Sequence, residues 1–394
     1  MPTSPYRSEV RLLLRSALVL FTFTVVVGIL NGTDLVEFDR KALLTHVHAG
    51  TLGWITMSVI AATFWMFALG DSRPAGRSFV STLALAAIVS ITAYALTFLT
   101  TIGVVRPAVG AIVLVVIVAV LVWVARQLPG RTLSVPHVAV LAAVTMSIFG
   151  ALLGVLLGYR LAAGSTVIPA TAAEAHPAAM VIGFLVPVGM AFIEWVLDPT
   201  SLGRRASALG WVQIALPFLG GVLAMVGLLA SITPLVTLGL PFEVIGLVIL
   251  IVRLRRPLMA GANLAADGMA RYGSVALVFL IVNIALLVYL VVNFFSQNLP
   301  PPINVLLALD HSIFIGVMTN CILAVIAMFR RPVSAMLGHL LFFGLNLGLV
   351  GFLAGLLLES ATLKQISTPA MGIAILLAVA VNVMSLGEAD EARA

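Results

Sequence analysis

Apolar runs long enough to cross a bilayer follow one another along almost the whole chain, at 10–31, 44–70, 78–101, 106–127, 135–160, 175–198, 206–231, 235–256, 271–295, 303–329, 333–358 and 367–387. A spanning helix needs about 20 mainly apolar residues. The connections are too short for a soluble domain of any size. Charged residues make up only 9% of the chain, against about 25% in soluble domains. Within lipid the backbone must satisfy its own hydrogen bonds, and continuous apolar runs do this as helices. The expected fold is an all-α integral membrane protein of twelve transmembrane helices, forming a single transmembrane domain over 1–394.

The charges are sorted by side. All of the 21 Lys and Arg residues except Arg40, Lys41, Arg106, Arg160 and Lys364 fall on one face of the bundle, from Arg7 and Arg73 through Arg253 and Arg331 to Arg393. By the positive-inside rule that face is cytoplasmic, which puts both termini inside a cell membrane. An odd number of spans would scramble the asymmetry. The net charge of +6 therefore reports topology and carries no nucleic-acid signal. The opening stretch MPTSPYRSEVRLLLRSALVL lacks a small-residue cleavage site and reads as the first span. The lone cysteine, Cys321, has no partner for a disulfide or a CxxC site.

Division into 1–130, 131–270 and 271–394 gives three arcs of four spans. The second span of each arc carries a histidine near its outer end: His48 (with His46 two residues before it), His176 and His311. Imidazole is the usual protein ligand for heme iron and a common one for copper and zinc, so histidines repeated at one depth point to heme or metal ligation where the arcs meet. Residues two apart on a helix point about 200° from one another. His46 and His48 therefore either serve two centres flanking their helix, or His48 alone ligates. Glycines follow at similar distances (Gly50, Gly53, Gly183, Gly316) and would allow close approach of a helix or a flat ligand. His137 and His339 begin spans at the opposite face and read as structural. Asp310 is placed to bond a ligand on an adjacent helix or to accept a proton. Glu194 and Glu243 lie near span ends and are expected at the interface. Asp34, Glu37, Asp39, Glu174 and Glu359 fall in outer loops. The inner halves of the spans read as aliphatic, which argues against a proton path.

These motifs resemble those of the heme–copper oxidase superfamily, whose catalytic subunit has twelve spans in three arcs of four. HVHAGTLGW (46–54) is similar to that family's paired-histidine helix, in which each histidine holds one heme, although the family places this pair on the tenth helix. AHPAAMVIGFLVPVGM (175–190) resembles the sixth-helix motif, where the histidine before proline is a copper ligand. HLLFFGLNLGL (339–349) resembles the eleventh helix. The chain also departs from the pattern. Its seventh span has no histidine where the family has an adjacent pair, and LLALDHSIFIGVMTN has one histidine where the family has two. The sixth span lacks the tyrosine that would link to a copper ligand. The resemblance thus implies a divergent member with an incomplete or absent copper site.

Two ligand schemes follow. In one, His48 and His311 clamp a single heme, and His176 is a remnant copper ligand or a distal group. In the other, His46 and His48 each hold a heme or metal, with His176 and His311 opposite them. The resemblance implies a redox protein, an oxidoreductase of the respiratory chain working by electron transfer or by O₂ or NO chemistry at one or two hemes. Its electrons would come from an outer-face cytochrome c or cupredoxin or from a quinol, and small accessory membrane subunits and lipids would be its neighbours. A non-catalytic heme protein (gas sensor, heme store or accessory subunit) and a metal or proton transporter are the alternatives.

Overall fold

The computed structural model describes residues 4–69, 76–100, 103–261, 264, 268–297 and 299–391. Arg73 and Arg393, counted above on the basic face, lie outside these residues. Among the described residues all regular structure is helical, and twelve helices are long and apolar enough to cross a membrane: Arg7–Gly32, Arg40–Ala68, Arg77–Leu99, Val105–Gln127, Val135–Ala163, Ala172–Leu197, Ala208–Leu229, Thr233–Met259, Met269–Gln297, Ile303–Ala327, Ala335–Leu357 and Ala361–Leu386. They are spans 1–12 below. The protein is an all-α, multi-pass membrane protein of twelve helices.

Spans 2 and 12 begin well before their apolar runs, where polar residues cap them. Asp39 accepts a hydrogen bond from the Ala42 amide at 2.8 Å and starts span 2 at Arg40. Ser360 accepts from the Leu363 amide at 3.3 Å and starts span 12 at Ala361. Such caps satisfy amides that the first turn leaves without partners. Hydropathy alone does not register them.

The spans differ sharply in burial, and this sets the architecture. The most apolar windows of spans 2, 6 and 10 are 94%, 83% and 78% buried, whereas those of the other nine range from 33% to 56%. The second helix of each arc is therefore the core, and the remaining spans form a ring that meets lipid. Each core helix also loosens into a π-helical stretch, at Ala49–Thr56, Ala179–Leu185 and Ser312–Thr319. The hydroxyls of Thr56 and Thr319 bond to the carbonyls five residues earlier, Thr51 and Phe314, at 2.9 and 3.0 Å. π segments are uncommon and are frequently found at functional sites.

The fifth residue of each π segment is a glycine pressed against the helix that opens its own arc. A Cβ on Gly53 would meet Leu20 of span 1, one on Gly183 would meet Met146 of span 5, and one on Gly316 would meet Phe279 of span 9. All three side chains rise from the facing helix, so the contact fixes how closely ring and core approach. Gly316→Val should therefore cost about 1–3 kcal/mol through overpacking, visible as a lowered unfolding midpoint of the purified protein. A midpoint equal to that of the unmodified chain would show that Phe279 moves aside freely.

The spans cross the core at two chemically distinct ends, the histidine end and the arginine end. At the histidine end, Lys364 of span 12 bonds Asp34 after span 1 at 2.9 Å, and Gln365 bonds the same carboxylate at 3.0 Å. This tie joins the first and third arcs. The Lys364 hydrogen bond and then that of Gln365 hold the Asp34 carboxyl below its ordinary 3.8. A lowered folded pKa gives stabilisation that is present above the ordinary value and lost as the pH falls below it. Acidification below about pH 4 should release the tie, seen as faster amide exchange over residues 33–36. Unchanged exchange there would mean that the ion pair holds nothing in place.

At the arginine end, the expectation of aliphatic span interiors does not hold. Glu194 is 3% exposed, Gln213 0%, Arg271 3% and His137 2%. Arg253 of span 8 makes two bonds to Glu194 of span 6, at 2.7 and 2.9 Å, and a third to the Gln213 side chain of span 7. Arg271 donates to His339 at 2.8 Å and to the Gly338 carbonyl at 2.9 Å. His137 bonds the Ser134 hydroxyl and the Met66 carbonyl at 2.6 and 3.1 Å. Glu194 lies near the end of span 6, as expected, but is enclosed by protein and ion-paired there. Its partner lies 59 positions away in the sequence, so the pair cannot be read from either span by itself.

Candidate functional site

Four histidines gather at the histidine end: His46 and His48 on span 2, His176 on span 6 and His311 on span 10. All four residues are half-buried. Each also uses Nδ1 in the same way. His46 bonds the Thr24 carbonyl at 2.9 Å, His48 the Leu44 carbonyl at 2.8 Å, His176 the Gly150 carbonyl at 2.8 Å and His311 the Leu307 carbonyl at 2.7 Å. A carbonyl can only accept, so Nδ1 carries the proton and Nε2 presents its lone pair. No described residue hydrogen-bonds any of the four Nε2 atoms. A backbone carbonyl behind one ring nitrogen is the arrangement that orients a ligating imidazole and fixes its tautomer.

The histidines do not share one site. A cavity of about 620 Å³ lies between the first and third arcs and is lined by His46 and His311 together. Its volume falls within the roughly 300–1,000 Å³ typical of cofactor and small-molecule sites. The walls are apolar and partly aromatic: Phe21 stacked on Trp54 (4.4 Å between centroids, 3° between planes), Ile55, Phe314 and Phe352. His311 rests on Phe352 at 4.8 Å. Polar groups collect elsewhere on the lining, with Asn31, Asp34, Asn304, Glu359 and Lys364 joining Asp310. Two small residues keep the first arc's wall back, Gly28 beside the His46 ring and Gly50 beside Thr24. His48 does not line this cavity. It stacks on Phe98 of span 3 at 3.9 Å and 19° and meets Tyr94 edge-on at 5.7 Å. The structure therefore brings His46 and His311 to one cavity, and it does not place His48 on that lining.

The π segments explain the sorting. Three residues before them stand His46, His176 and Leu309, and one residue before them stand His48, Ala178 and His311. The earlier position is tied to the helix that opens its own arc: His46 to Thr24, His176 to Gly150, and the Leu309 carbonyl to the Asn283 side chain at 2.8 Å. The later position bonds back to the carbonyl four residues earlier in both His48 and His311. The cavity joins the later position of the third arc to the earlier position of the first. By the same rule the third junction, between the second and third arcs, would hold Ala178 and Leu309. There Leu309 packs in an apolar cluster with Leu287, Leu290 and Val291, against Ile182.

Close to this third junction lies a residue whose expected place is corrected by the structure. Glu243 was expected at the interface near a span end, but it is 1% exposed, ten residues inside span 8, and neither carboxyl oxygen has a hydrogen-bond partner. Gly220 and Gly239 let spans 7 and 8 approach closely around it. An acidic side chain inside an aliphatic span is itself the sequence signal of a functional group. Sequence reasoning also passed over the polar bridges between core helices. Trp54 donates to the Thr319 hydroxyl at 3.0 Å, linking spans 2 and 10, and Asn320 and Asn346 exchange two bonds of 2.9 and 3.0 Å.

The donor set limits what the site can hold. Among the described residues no three His, Cys, Asp or Glu side chains converge as a metal-binding group. Two imidazoles facing one apolar cavity suit a group that brings further ligands of its own, and His46 and His311 would hold such a group through Nε2. The orphaned lone pairs, the aromatic walls and the polar patch that includes Lys364 fit a heme, with His46 and His311 as its holders. Bound there, a heme would supply reversible one-electron chemistry. Neither any known protein family nor any curated protein matches this sequence.

Proposed function

We propose that this chain is a heme-binding redox protein of the cell membrane, similar in plan to heme–copper oxidase subunit I, with His46 and His311 as the axial pair of a heme between the first and third arcs. One observation carries the reading: two imidazoles from separate arcs line one apolar cavity of about 620 Å³, each with Nδ1 tied down and Nε2 free. Iron held on both faces has no open coordination position, so the axial pair favours electron transfer over gas chemistry. By the positive-inside rule the arginine end is cytoplasmic. The cavity then lies towards the outer face, where a cytochrome c, a cupredoxin or a quinol is the donor. A copper partner has no three-histidine set to hold it.

The optical spectrum of the purified protein tests this. A sharp reduced α-band that carbon monoxide leaves unchanged is the expected result. A band that shifts with carbon monoxide moves the function to gas catalysis or sensing, and the absence of any heme band after reconstitution with hemin sinks the reading.

One feature favours a second reading. Asp310 lines the same cavity beside His311 and makes no hydrogen bond among the described residues. An intramembrane carboxyl beside two imidazoles is also how a proton or cation pathway is built. A transporter would show pH-driven uptake of a cation into vesicles, abolished by Asp310→Asn, with no heme bound.

A further inference from the structure

The heme reading uses the histidine end and leaves one ionisable group of the core without a role. Glu243 stands ten residues inside span 8, about 15 Å along its axis, near the middle of a hydrocarbon core of about 30 Å. It is 1% exposed, and neither carboxyl oxygen has a hydrogen-bond partner. The cavity beside it measures about 10 Å³, close to the least that admits one water, and its other lining residues, from spans 6 to 9, are glycine or aliphatic. The titratable groups of these spans are engaged elsewhere or exposed. Span 7 has none. His176 of span 6 bonds Gly150 of span 5, Glu194 is held by Arg253, Arg271 of span 9 is held to His339, and Tyr272 packs on Phe342. Glu174, Arg255, Arg256 and Tyr289 are exposed. A carboxylate buried without a counter-charge is costly enough that such a group takes up a proton instead. The surroundings therefore hold Glu243 as the uncharged acid.

A second, independent observation is a file of unsatisfied polar groups between this carboxyl and the arginine end. Span 7 carries Pro217, which has no N–H to give the carbonyl four residues earlier, so the Gln213 carbonyl is released from its usual helical partner. Gly246 of span 8 packs on that gap, where a Cβ would meet both the Pro217 ring and the Gln213 carbonyl. The Gln213 side chain is 0% exposed, and its Nε2 is buried with no partner. One turn further along the same helix contact, a Cβ on Gly220 would meet a Glu243 carboxyl oxygen. At the other end of the file the Gln213 side-chain oxygen accepts from Arg253, whose side chain is 18% exposed. Polar groups in an aliphatic span are costly and usually functional. Here they run along one helix pair from the arginine end to the middle of the membrane.

We propose that Glu243 is a proton-binding site within the membrane, and that its proton exchanges with water at the arginine end by way of Gln213. The carboxyl O–H bond breaks as another proton arrives, so no bare carboxylate persists and no electron moves. The site shares no residue with the cavity of His46 and His311 and stands independently of the heme reading. It adjoins the third junction, where Ala178 and Leu309 take the places that histidines hold elsewhere. Its consequence is a chain that draws one proton from the arginine end into the membrane interior.

Infrared spectra of the purified full-length protein at neutral pH, in light and in heavy water, test it. Glu243 should give the carbonyl band of an un-ionised carboxyl, which moves to lower frequency in heavy water and is missing from Glu243→Gln. Gln213→Leu should keep the band and slow its shift several-fold. If Glu243→Gln removes no such band, the residue is not held as an acid and the proposal fails. A band that never moves in heavy water shows an inert buried acid and overturns the exchange. An equal rate of shift in Gln213→Leu overturns the route. Loss of the band on adding sodium chloride makes the ligand a metal cation and overturns the proton assignment. The band of the unmodified chain decides the exchange even where Gln213→Leu does not fold.

Discussion

His46→Ala and His311→Ala should each remove the same low-spin heme spectrum, whereas His48→Ala should leave that spectrum intact. This outcome is expected because His46 and His311 line one cavity and His48 lies on the far side of its helix, stacked on Phe98. A heme held by both imidazoles would lose one of its two protein ligands in either variant, so the low-spin signature should disappear even where some binding survives. Removing a residue that merely orients a ligand typically costs 10- to 100-fold in affinity, and removing the ligand itself should cost at least that. The useful contrast lies within span 2, where two histidines separated by a single residue must behave oppositely. If His48→Ala abolishes the spectrum and His46→Ala spares it, the pairing of His48 with His311 is restored and the cavity is not the heme site. Asp310→Asn adds a finer probe. Its carboxyl faces the cavity without a hydrogen bond among the described residues, so neutralising it should raise the midpoint potential of the heme and leave its spectrum unchanged.

The twelve crossings and the three core helices were legible from hydropathy and from the spacing of the histidines, because burial in lipid leaves a helix few options beyond length and apolarity. The pairing was not. Aligned by histidine alone, His48, His176 and His311 look equivalent. Aligned by the π segments, His176 matches His46, and the equivalent of His48 in the second arc is Ala178. A π segment shifts the faces of a helix relative to its flanks, and no residue type announces where it begins. The glycines at Gly53, Gly183 and Gly316 were visible as a repeat, and they hold the key, since each is the fifth residue of its segment. The polar ties were hidden for a different reason. Glu194, Gln213 and Arg253 come from three different spans, and only packing reveals them as one group.

That group yields the largest expected effect on stability. Arg253→Leu should destabilise the protein by about 3–5 kcal/mol, read as a lowered unfolding midpoint in detergent. Glu194 is the reason. Its side chain is 4% exposed, and both oxygens depend on the guanidinium. Without Arg253 a buried carboxylate is left with no compensating charge, and Gln213 loses its partner as well. Glu194→Leu should cost less, because Arg253 is 18% exposed, keeps its bond to Gln213 and can turn towards water or lipid headgroups, as long cationic side chains do. The double variant decides between a stabilising bridge and a mutual obligation. Replacing a buried ion pair by apolar residues of similar size is often neutral or better, so Glu194→Leu with Arg253→Leu should recover most of the loss, with a coupling of roughly 0.5–3 kcal/mol between the sites. Additive losses in the double variant would mean that the two residues act separately, and that spans 6 and 8 are held together by their apolar faces alone.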